Sequence, residues 1–441
     1  MLINIENKVV QNTIISKFFE IIIFFCIPII YIVGSLPVNF ILIVSSIYII
    51  FLSYSKKIIF DKKEIYIFLI IMIFLIINSL SAEFKSYSLY KSMTYFRFIL
   101  FLYFGIYFLN ISSIQLKRFF SLTLLGTIIF VSFDSLVQFI YGIDLLGYKT
   151  DITIIYGRLS GPFGSEYIVG SYLFCFGFVG FACLKQFFNI GLFLQIIYVS
   201  LLSIMIFLTG ERNAILCTIL SIFILFLINK NLRSVIILSA LIIILSCNLI
   251  LKNSEVLSKR YSFKALPSLV DTKINKEKLE GKIINKLVKP KSDFLSNKIK
   301  IINNSIWFSH YRAGIRIFKK NIFIGSGFKS FRHECIKLKS DKKMSCASHP
   351  HNMYIELISD TGLVGFLSFA CFVSYIIFIF FKNRLYKNDF ESILFAVFLA
   401  FIFPIKPHGS IFSTNNAFMI WYILTFLMWG FFYKINYKKK K

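Results

Sequence analysis

The residues best suited to chemistry form the run SHPHNMY at positions 348–354, where a long basic loop meets an apolar segment. Pro350 and the apolar residues that follow predict the start of a helix, whose free backbone N–H groups and positive dipole end favour an anion. The imidazoles of His349 and His351 can accept a proton near neutral pH. This combination suits a reaction on a phosphate-bearing substrate at the surface of a membrane.

The apolar composition of the chain predicts a membrane protein. Of its 441 residues 57% are hydrophobic, and the mean hydropathy is +0.75. Apolar runs close to the length that crosses a hydrocarbon core, about 17–25 residues, recur along the chain. The first run lacks a small-residue cleavage site and is therefore predicted to be a retained span and not a signal peptide. The fold class is all-α integral membrane protein with about twelve spans, at roughly 18–34, 38–54, 65–80, 93–109, 119–141, 166–184, 188–208, 213–229, 234–251, 362–381, 390–405 and 414–433.

Basic residues predict the orientation of these spans. An even number of spans puts both termini on one side, and that side would carry nineteen Lys and Arg in its loops and tails, against six in the short loops opposite. The positive-inside rule places the richer side in the cytoplasm. Arg158, Arg212, the loop from 252 to 352 and His408 would then share the outer face with the histidine motif.

The chain divides into residues 1–251 with nine helices, a loop at 252–352, and residues 353–441 with three helices and a basic tail. The loop holds 23 Lys and Arg against 7 Asp and Glu. Codon composition alone explains the Lys- and Asn-rich first half as well as any ligand does. If the charge has a partner, membrane lipid headgroups or a lipid diphosphate are predicted on the outer face, and nucleic acid is not.

The second half of the loop has more definite features. Residues 306–319 have the apolar spacing of an amphipathic helix that lies on the membrane, and the run GSGF at 325–328 predicts a tight turn. Cys335 and Cys346 follow, either as free thiols or, as an oxidising compartment favours, as a disulfide. The other six cysteines fall in apolar spans, where they are predicted to pack.

Three arginines are candidates for phosphate contacts, because a guanidinium binds two phosphate oxygens at once and keeps its charge. Each has a simpler alternative. Arg212 could extend to lipid headgroups, Arg312 could lie on a solvated helix face, and Arg158 could bind a loop carbonyl. Glu166 could orient one of them, and Arg97, inside the fourth span, is predicted to have an internal ionic partner.

The remaining histidines, His310, His333 and His408, do not share a spacing with the motif that indicates a metal site, so no metal is predicted.

Five stretches of the chain resemble the O-antigen ligase/polymerase superfamily of bacterial membrane glycosyltransferases, in the family's order. The match departs at Asn213, where family members often have glycine. The stretches are RLSGPFGSE at 158–166 with GSYL at 170–173; TGERNA at 209–214; Arg312 with IGSG at 324–327 and Phe331; HPHNMY at 349–354 with GLVG at 362–365; and Pro404 with GSIF at 409–412.

The resemblance implies a GT-C-like fold in the bacterial inner membrane, with one periplasmic loop between the ninth and tenth helices. Its substrate would be an undecaprenyl-diphosphate-linked glycan. A ligase moves that glycan to a sugar hydroxyl of the lipid A core, and a polymerase moves it to another lipid-linked repeat. No metal, nucleotide or other cofactor is expected.

The resemblance also implies roles for single residues. His351 would be the essential histidine, and Arg212 and Arg312 would contact the diphosphate. From the residues themselves we add Arg158 as a third phosphate contact, and His349, Asn352 and Glu166 as supporting groups.

A membrane transporter is the alternative from another class. Such a protein is expected to have broken helices near the bilayer midplane and an internal repeat. No repeat is visible here, and the polar residues cluster at one face, which favours an enzyme that receives its substrate there.

Labelling of introduced thiols tests the orientation. A cysteine at Lys278 should react with a membrane-impermeant reagent added from outside, and one at Lys62 should not, because the positive-inside rule puts Lys62 in the cytoplasm. The reverse pattern would move Arg212 and His351 to the cytoplasmic face and contradict the site assignment.

Overall fold

The computed structural model describes residues 14–55, 62–149, 157–261, 306–338, 346–407 and 409–439. The predicted features at Lys278, at His408 and in most of the first half of the basic loop lie outside these residues. Within the described ranges the chain forms α-helices and no β-strand. They are α1 (Ile14–Val33), α2 (Ser35–Tyr54), α3 (Lys62–Ser81), α4 (Lys85–Ile111), α5 (Ile114–Tyr141), α6 (Val169–Phe188), α7 (Leu192–Leu208), α8 (Arg212–Ile228), α9 (Arg233–Asn253), α10 (Glu255–Tyr261), α11 (Ile306–Lys320), α12 (Phe331–Lys337), α13 (Met353–Lys382), α14 (Asp389–Phe401) and α15 (Thr414–Lys439).

Each of the twelve predicted apolar segments falls on one helix, from α1 to α9 and from α13 to α15. In the described part of the chain, six helices are long and apolar enough to cross a membrane, namely α2, α4, α5, α6, α9 and α13. These helices support a multi-pass membrane protein. The count of twelve spans stays a prediction, because α14 has only 13 residues, about 20 Å against a hydrocarbon core of about 30 Å.

The centre of the bundle is built from α6, α14 and α15. Nearly every residue of α14 is buried, and α14 packs against α6, α8 and α15. Aromatic side chains fill the contacts around it, as where the rings of Phe380 and Phe395 stack with centroids 3.8 Å apart. By contrast, α9 and α13 expose many of their large apolar side chains, as helices in contact with lipid do.

A backbone junction joins the basic loop to the bundle. Helix α13 is interrupted at Gly362, which has φ 65° and ψ −165°. The turn after α11 passes beside this break, and the two segments exchange four backbone hydrogen bonds. They run from Ser326 N to Ser359 O (3.0 Å), Gly327 N to Asp360 O (3.0 Å), Leu363 N to Ile322 O (2.8 Å) and Val364 N to Phe323 O (3.1 Å).

Glycine is required on both sides of the junction. Gly325 and Gly362 both have left-handed φ values, of 82° and 65°, which cost a residue with a Cβ about 1–3 kcal/mol. A Cβ on either one would also overlap the backbone of the other. The amide of Asn78, on α3, donates to Ile324 O (2.7 Å) and to Asp360 O (2.9 Å). The junction therefore fixes α11 against the first turns of α13.

The loop has a small core of its own. Ala313 and Ile317 of α11 pack on Phe331 and Cys335 of α12. Cys335 is joined to Cys346 by a disulfide with a Cα–Cα distance of 5.6 Å. This covalent link brings the chain back to α12 just before the histidine motif.

Alanine at Gly362 tests the junction. We expect Gly362→Ala to lower the midpoint of thermal unfolding in detergent, because alanine is strained at this φ and overlaps the facing turn. Gly126→Ala in α5 is the matched control, since nothing lies within 4 Å of a Cβ added there and alanine favours a helix. Equal unfolding temperatures for the two variants would contradict a structural role for the junction.

Candidate functional site

Asn352 positions the histidine motif. Its Oδ1 accepts hydrogen bonds from Tyr354 N (3.0 Å) and Ile355 N (3.1 Å), so it caps α13. Its Nδ2 donates to Pro404 O (2.8 Å), in the loop between α14 and α15. The expectation that Pro350 starts the helix is wrong: α13 begins at Met353, because the asparagine side chain satisfies the first free N–H groups.

His351 lies in a group of three imidazoles. Its backbone is left-handed, with φ 57°, a conformation that is uncommon for a non-glycine residue and that persists only where the surrounding structure holds it. The centroid of its ring is 4.1 Å from that of His349 and 5.2 Å from that of His310. His310 comes from α11 and is buried, so the junction between α11 and α13 also brings these rings together.

His351 is held in its neutral form. Burial lowers its pKa, and the neighbouring His349 and His310 lower it further, to about 3. A lowered pKa means that the proton-accepting form persists well below pH 6.5, the ordinary value for histidine. His351 can therefore act as a proton acceptor at neutral pH, although it is a weak base until a negative charge comes near.

A second group of charged residues forms where the segment before α6 passes the start of α8. Leu159 N donates to Thr209 O (3.0 Å), so residues 157–159 run beside residues 209–211. Gly210 permits this approach, because its φ is 68° and a Cβ there would overlap Gly157 O. The contact brings Arg158 to the residues that precede α8.

Three arginines in this group contact backbone carbonyls. Arg212 donates to Arg260 O, Arg260 Nε donates to Gly210 O (2.9 Å), and Arg158 donates to Tyr167 O. Burial lowers the pKa of Arg260 to about 10, and the positive charges of Arg212 and Arg158 contribute to that shift. The three cations are thus close enough to repel one another, and each keeps further N–H groups for a ligand.

Glu211 is the carboxylate of this group. It is buried, and it accepts hydrogen bonds from Ser171 N (3.0 Å) and from the Ser171 hydroxyl. Burial raises its pKa, while the bonds from Ser171 and the charge of Arg158 lower it. One carboxylate therefore faces three guanidinium groups.

The loop between α14 and α15 lies between the two groups. Tyr354, next to the histidines, donates from its hydroxyl to Ile402 O (2.6 Å), and Pro404 O accepts the amide of Asn352. Two residues later, Lys406 Nζ donates to the sulfur of Cys217, on α8 (3.1 Å). The same loop thus contacts both the histidine motif and the helix that begins with Arg212.

The structure brings together some of the predicted site residues and not others. His349, His351 and Asn352 are together, and so are Arg158 and Arg212, whereas Arg312 is a half-buried residue of α11 two positions after His310. The role of Arg312 in binding phosphate stays a prediction.

Two expected partnerships take other forms. Glu166 is exposed and forms no ion pair with another described residue, so the carboxylate beside Arg158 is Glu211. Arg97 donates to the amide oxygen of Asn39 (2.9 Å) in place of the predicted ionic partner.

Sequence reasoning missed four residues of the site. Glu211 lies within the run TGERNA, in which only the arginine indicates phosphate chemistry. In the sequence Arg260 is one of many basic residues in the loop, His310 is a candidate only for a metal site, and Lys406 is one of the charges between predicted spans. Among the described residues no group of three or more His, Cys, Asp or Glu is arranged to hold a metal ion.

Comparison with known families supports the resemblance seen in the motifs. Residues 197–370 match the family model described as O-antigen ligase, which confirms the predicted similarity to the O-antigen ligase/polymerase superfamily. The matched segment includes Arg212, Arg260, Arg312 and the histidine motif, and it ends before Lys406. No curated protein matches the chain.

Titration of His351 tests the imidazole group. The NMR signal of its ring, identified by its loss in His351→Gln, should not titrate between pH 8 and 5, because burial and two imidazole neighbours disfavour the charged form. In His310→Phe the titration midpoint should rise, since one like-charge neighbour is removed while the site stays covered. A midpoint near pH 6.5 in the unaltered protein would contradict this account.

Proposed function

We propose that this chain is an O-antigen ligase-type glycosyltransferase, which moves a glycan from an undecaprenyl diphosphate carrier to a sugar hydroxyl of the lipid A core. The match to the O-antigen ligase family indicates a ligase- or polymerase-like function. The observation that carries the proposal is the excess of half-buried positive charge around Glu211, joined by one loop to a neutral, half-buried histidine.

The arginines are suited to the leaving group. When the bond between the anomeric carbon and the diphosphate oxygen breaks, negative charge grows on the departing phosphate. Arg212 and Arg158 each have guanidinium N–H groups beyond the single donor that contacts a described backbone carbonyl. These cations would stabilise the departing diphosphate, with Arg312 as a further contact from α11.

His351 is suited to be the base. The acceptor hydroxyl attacks the anomeric carbon from the side opposite the diphosphate, and its proton passes to the imidazole as the new carbon–oxygen bond forms. The low pKa of His351 applies to the protein without a bound anion. A diphosphate nearby would raise that pKa and make the imidazole a better acceptor when the donor is in place. Attack from the opposite side inverts the configuration at the anomeric carbon.

A polymerase that extends another lipid-linked repeat is the second candidate. The two reactions share the donor, the leaving group and the base, so the residues described above serve either one. Lipopolysaccharide from a deletion strain distinguishes them on a gel. Loss of every glycan from the lipid A core indicates a ligase, and a core that carries a single repeat indicates a polymerase.

The transporter alternative is weakened by the way the break in α13 is filled. A broken helix of a transporter directs its free backbone groups at the substrate. At Gly362 the freed N–H groups of Leu363 and Val364 already donate to carbonyls of the turn after α11. The break is therefore a structural joint.

Substitutions in the two groups test the mechanism in a reconstituted transfer assay. His351→Ala and Arg212→Lys should each lower the rate about a hundred- to a thousand-fold, the usual effect of losing one well-placed group at a transition state. Arg212→Lys keeps the positive charge but removes the ability to bind two phosphate oxygens at once. Chelators should not affect the rate.

The controls are His333→Ala and Arg118→Lys. His333 lies against the rings of Phe84 and Tyr87, and Arg118 binds Phe187 O, so neither is part of the site. Both variants should transfer at the normal rate. Near-normal transfer by His351→Ala at equal protein levels, or rescue of a chelated enzyme by a divalent cation, would contradict the mechanism.

A further inference from the structure

Lys406 is a buried cation that forms no ion pair with any residue the structure describes. Only 3% of its surface is exposed. Its ammonium group donates to the sulfur of Cys217 (3.1 Å) and lies 4.5 Å from the centre of the Phe401 ring. A thiol is a weak acceptor, and among the described residues no carboxylate is within ion-pair distance of the ammonium. An ammonium has three donors, so at least two remain for a ligand.

Burial of a cation in this way is costly unless an anion compensates it. The charge of Glu211 does reach Lys406, since the ammonium helps to lower the pKa of that carboxyl group, but the same single carboxylate also faces the three arginines. The local balance is therefore four cations to one carboxylate. Such an imbalance, with the lysine buried, favours a bound anion with more than one charge.

The position of Lys406 in this loop indicates which phosphate of the donor it would contact. It lies two residues after Pro404, whose carbonyl binds Asn352 beside His351. Its ammonium contacts Cys217 of α8, the helix that begins with Arg212, so Lys406 lies between the histidine motif and the arginines. A diphosphate that spans the two groups would have the phosphate attached to the sugar near Lys406, and the phosphate attached to the prenyl chain near the arginines.

We propose that Lys406 binds the sugar-proximal phosphate of the lipid diphosphate, an inference that rests on the proposed function. It would neutralise the charge that grows on that phosphate as the glycosidic bond breaks. The residue is outside the segment that matches the O-antigen ligase family model.

Binding of two simple probes separates the roles of the cations. Farnesyl diphosphate carries both phosphates, whereas farnesyl monophosphate carries only the prenyl-proximal one. In the full-length, detergent-solubilised protein, Lys406→Met should weaken the affinity for farnesyl diphosphate at least about tenfold. It should leave the affinity for farnesyl monophosphate within about twofold of the unaltered protein. Arg260→Met should weaken both probes. Lys185→Met is the matched control, because Lys185 pairs with Asp389 (3.6 Å) outside the site, and it should change neither.

Thermal unfolding distinguishes this role from a structural one. Methionine fills the space of lysine without a charge, so Lys406→Met should be at least as stable as the unaltered protein if the ammonium serves a ligand. A lower unfolding temperature with unchanged diphosphate affinity would show that Lys406 supports the fold and would overturn the proposal.

A second variant covers the case in which Lys406→Met does not fold. Cys217→Asp supplies an internal carboxylate for the ammonium and should weaken the diphosphate selectively, whereas Cys217→Ser should not. Equal diphosphate affinity in Cys217→Asp and the unaltered protein would overturn the proposal.

If His351→Ala and Arg212→Lys lose transfer while Lys406→Met binds both probes normally, this inference alone is wrong. If the unaltered protein does not prefer the diphosphate, the proposed function is wrong as well.

Discussion

The backbone junction between the turn after α11 and the break in α13 determines where the three histidines of the site can lie. Its hydrogen bonds join main chain to main chain, so they leave little freedom for either segment to shift. On one side of Gly362, residues such as Glu356 and Asp360 are buried in protein. On the other side, Leu363 and Leu367 are exposed on the surface that would face lipid. The break is thus where the helix passes from a protein environment to an apolar one, and the histidine motif is carried on the protein side.

A second constraint is the anchoring of the loop between α14 and α15. The carboxylate of Glu356 accepts hydrogen bonds from the Ser410 hydroxyl (2.5 Å) and from Ile411 N (2.8 Å), and Lys329 donates to Phe412 O (3.2 Å). The basic loop and the first turns of α13 therefore both hold this second loop. Because it in turn contacts Asn352 and α8, the imidazole and guanidinium groups are fixed relative to each other without a direct bond between them.

Much of the helical architecture follows from the sequence, because apolar runs of the right length must become helices in a bilayer. The histidine motif was also identifiable, since an imidazole pair before an apolar helix is unusual in so apolar a chain. The features that the sequence could not predict depend on contacts between residues that are far apart in the chain. Glu166 and Glu211 are both near arginine motifs, and only the packing of residues 157–159 beside the start of α8 selects Glu211. His310 becomes relevant only because α11 is docked on α13.

The short length of α14 explains the least predictable part of the site. An apolar run to residue 405 predicted a helix that crosses the bilayer and leaves Lys406 at the surface. The helix instead ends at Phe401, and the chain folds back into the bundle, which leaves Ile405 exposed and buries Lys406. Shortening a helix in the core of a membrane protein frees carbonyl groups that must find donors, and Asn352 and Tyr354 supply them to Pro404 and Ile402. The same bonds that satisfy the early end of α14 thus tie the histidine motif to the loop that carries Lys406, so the arrangement of the site depends on how this helix ends as well as on the charges themselves.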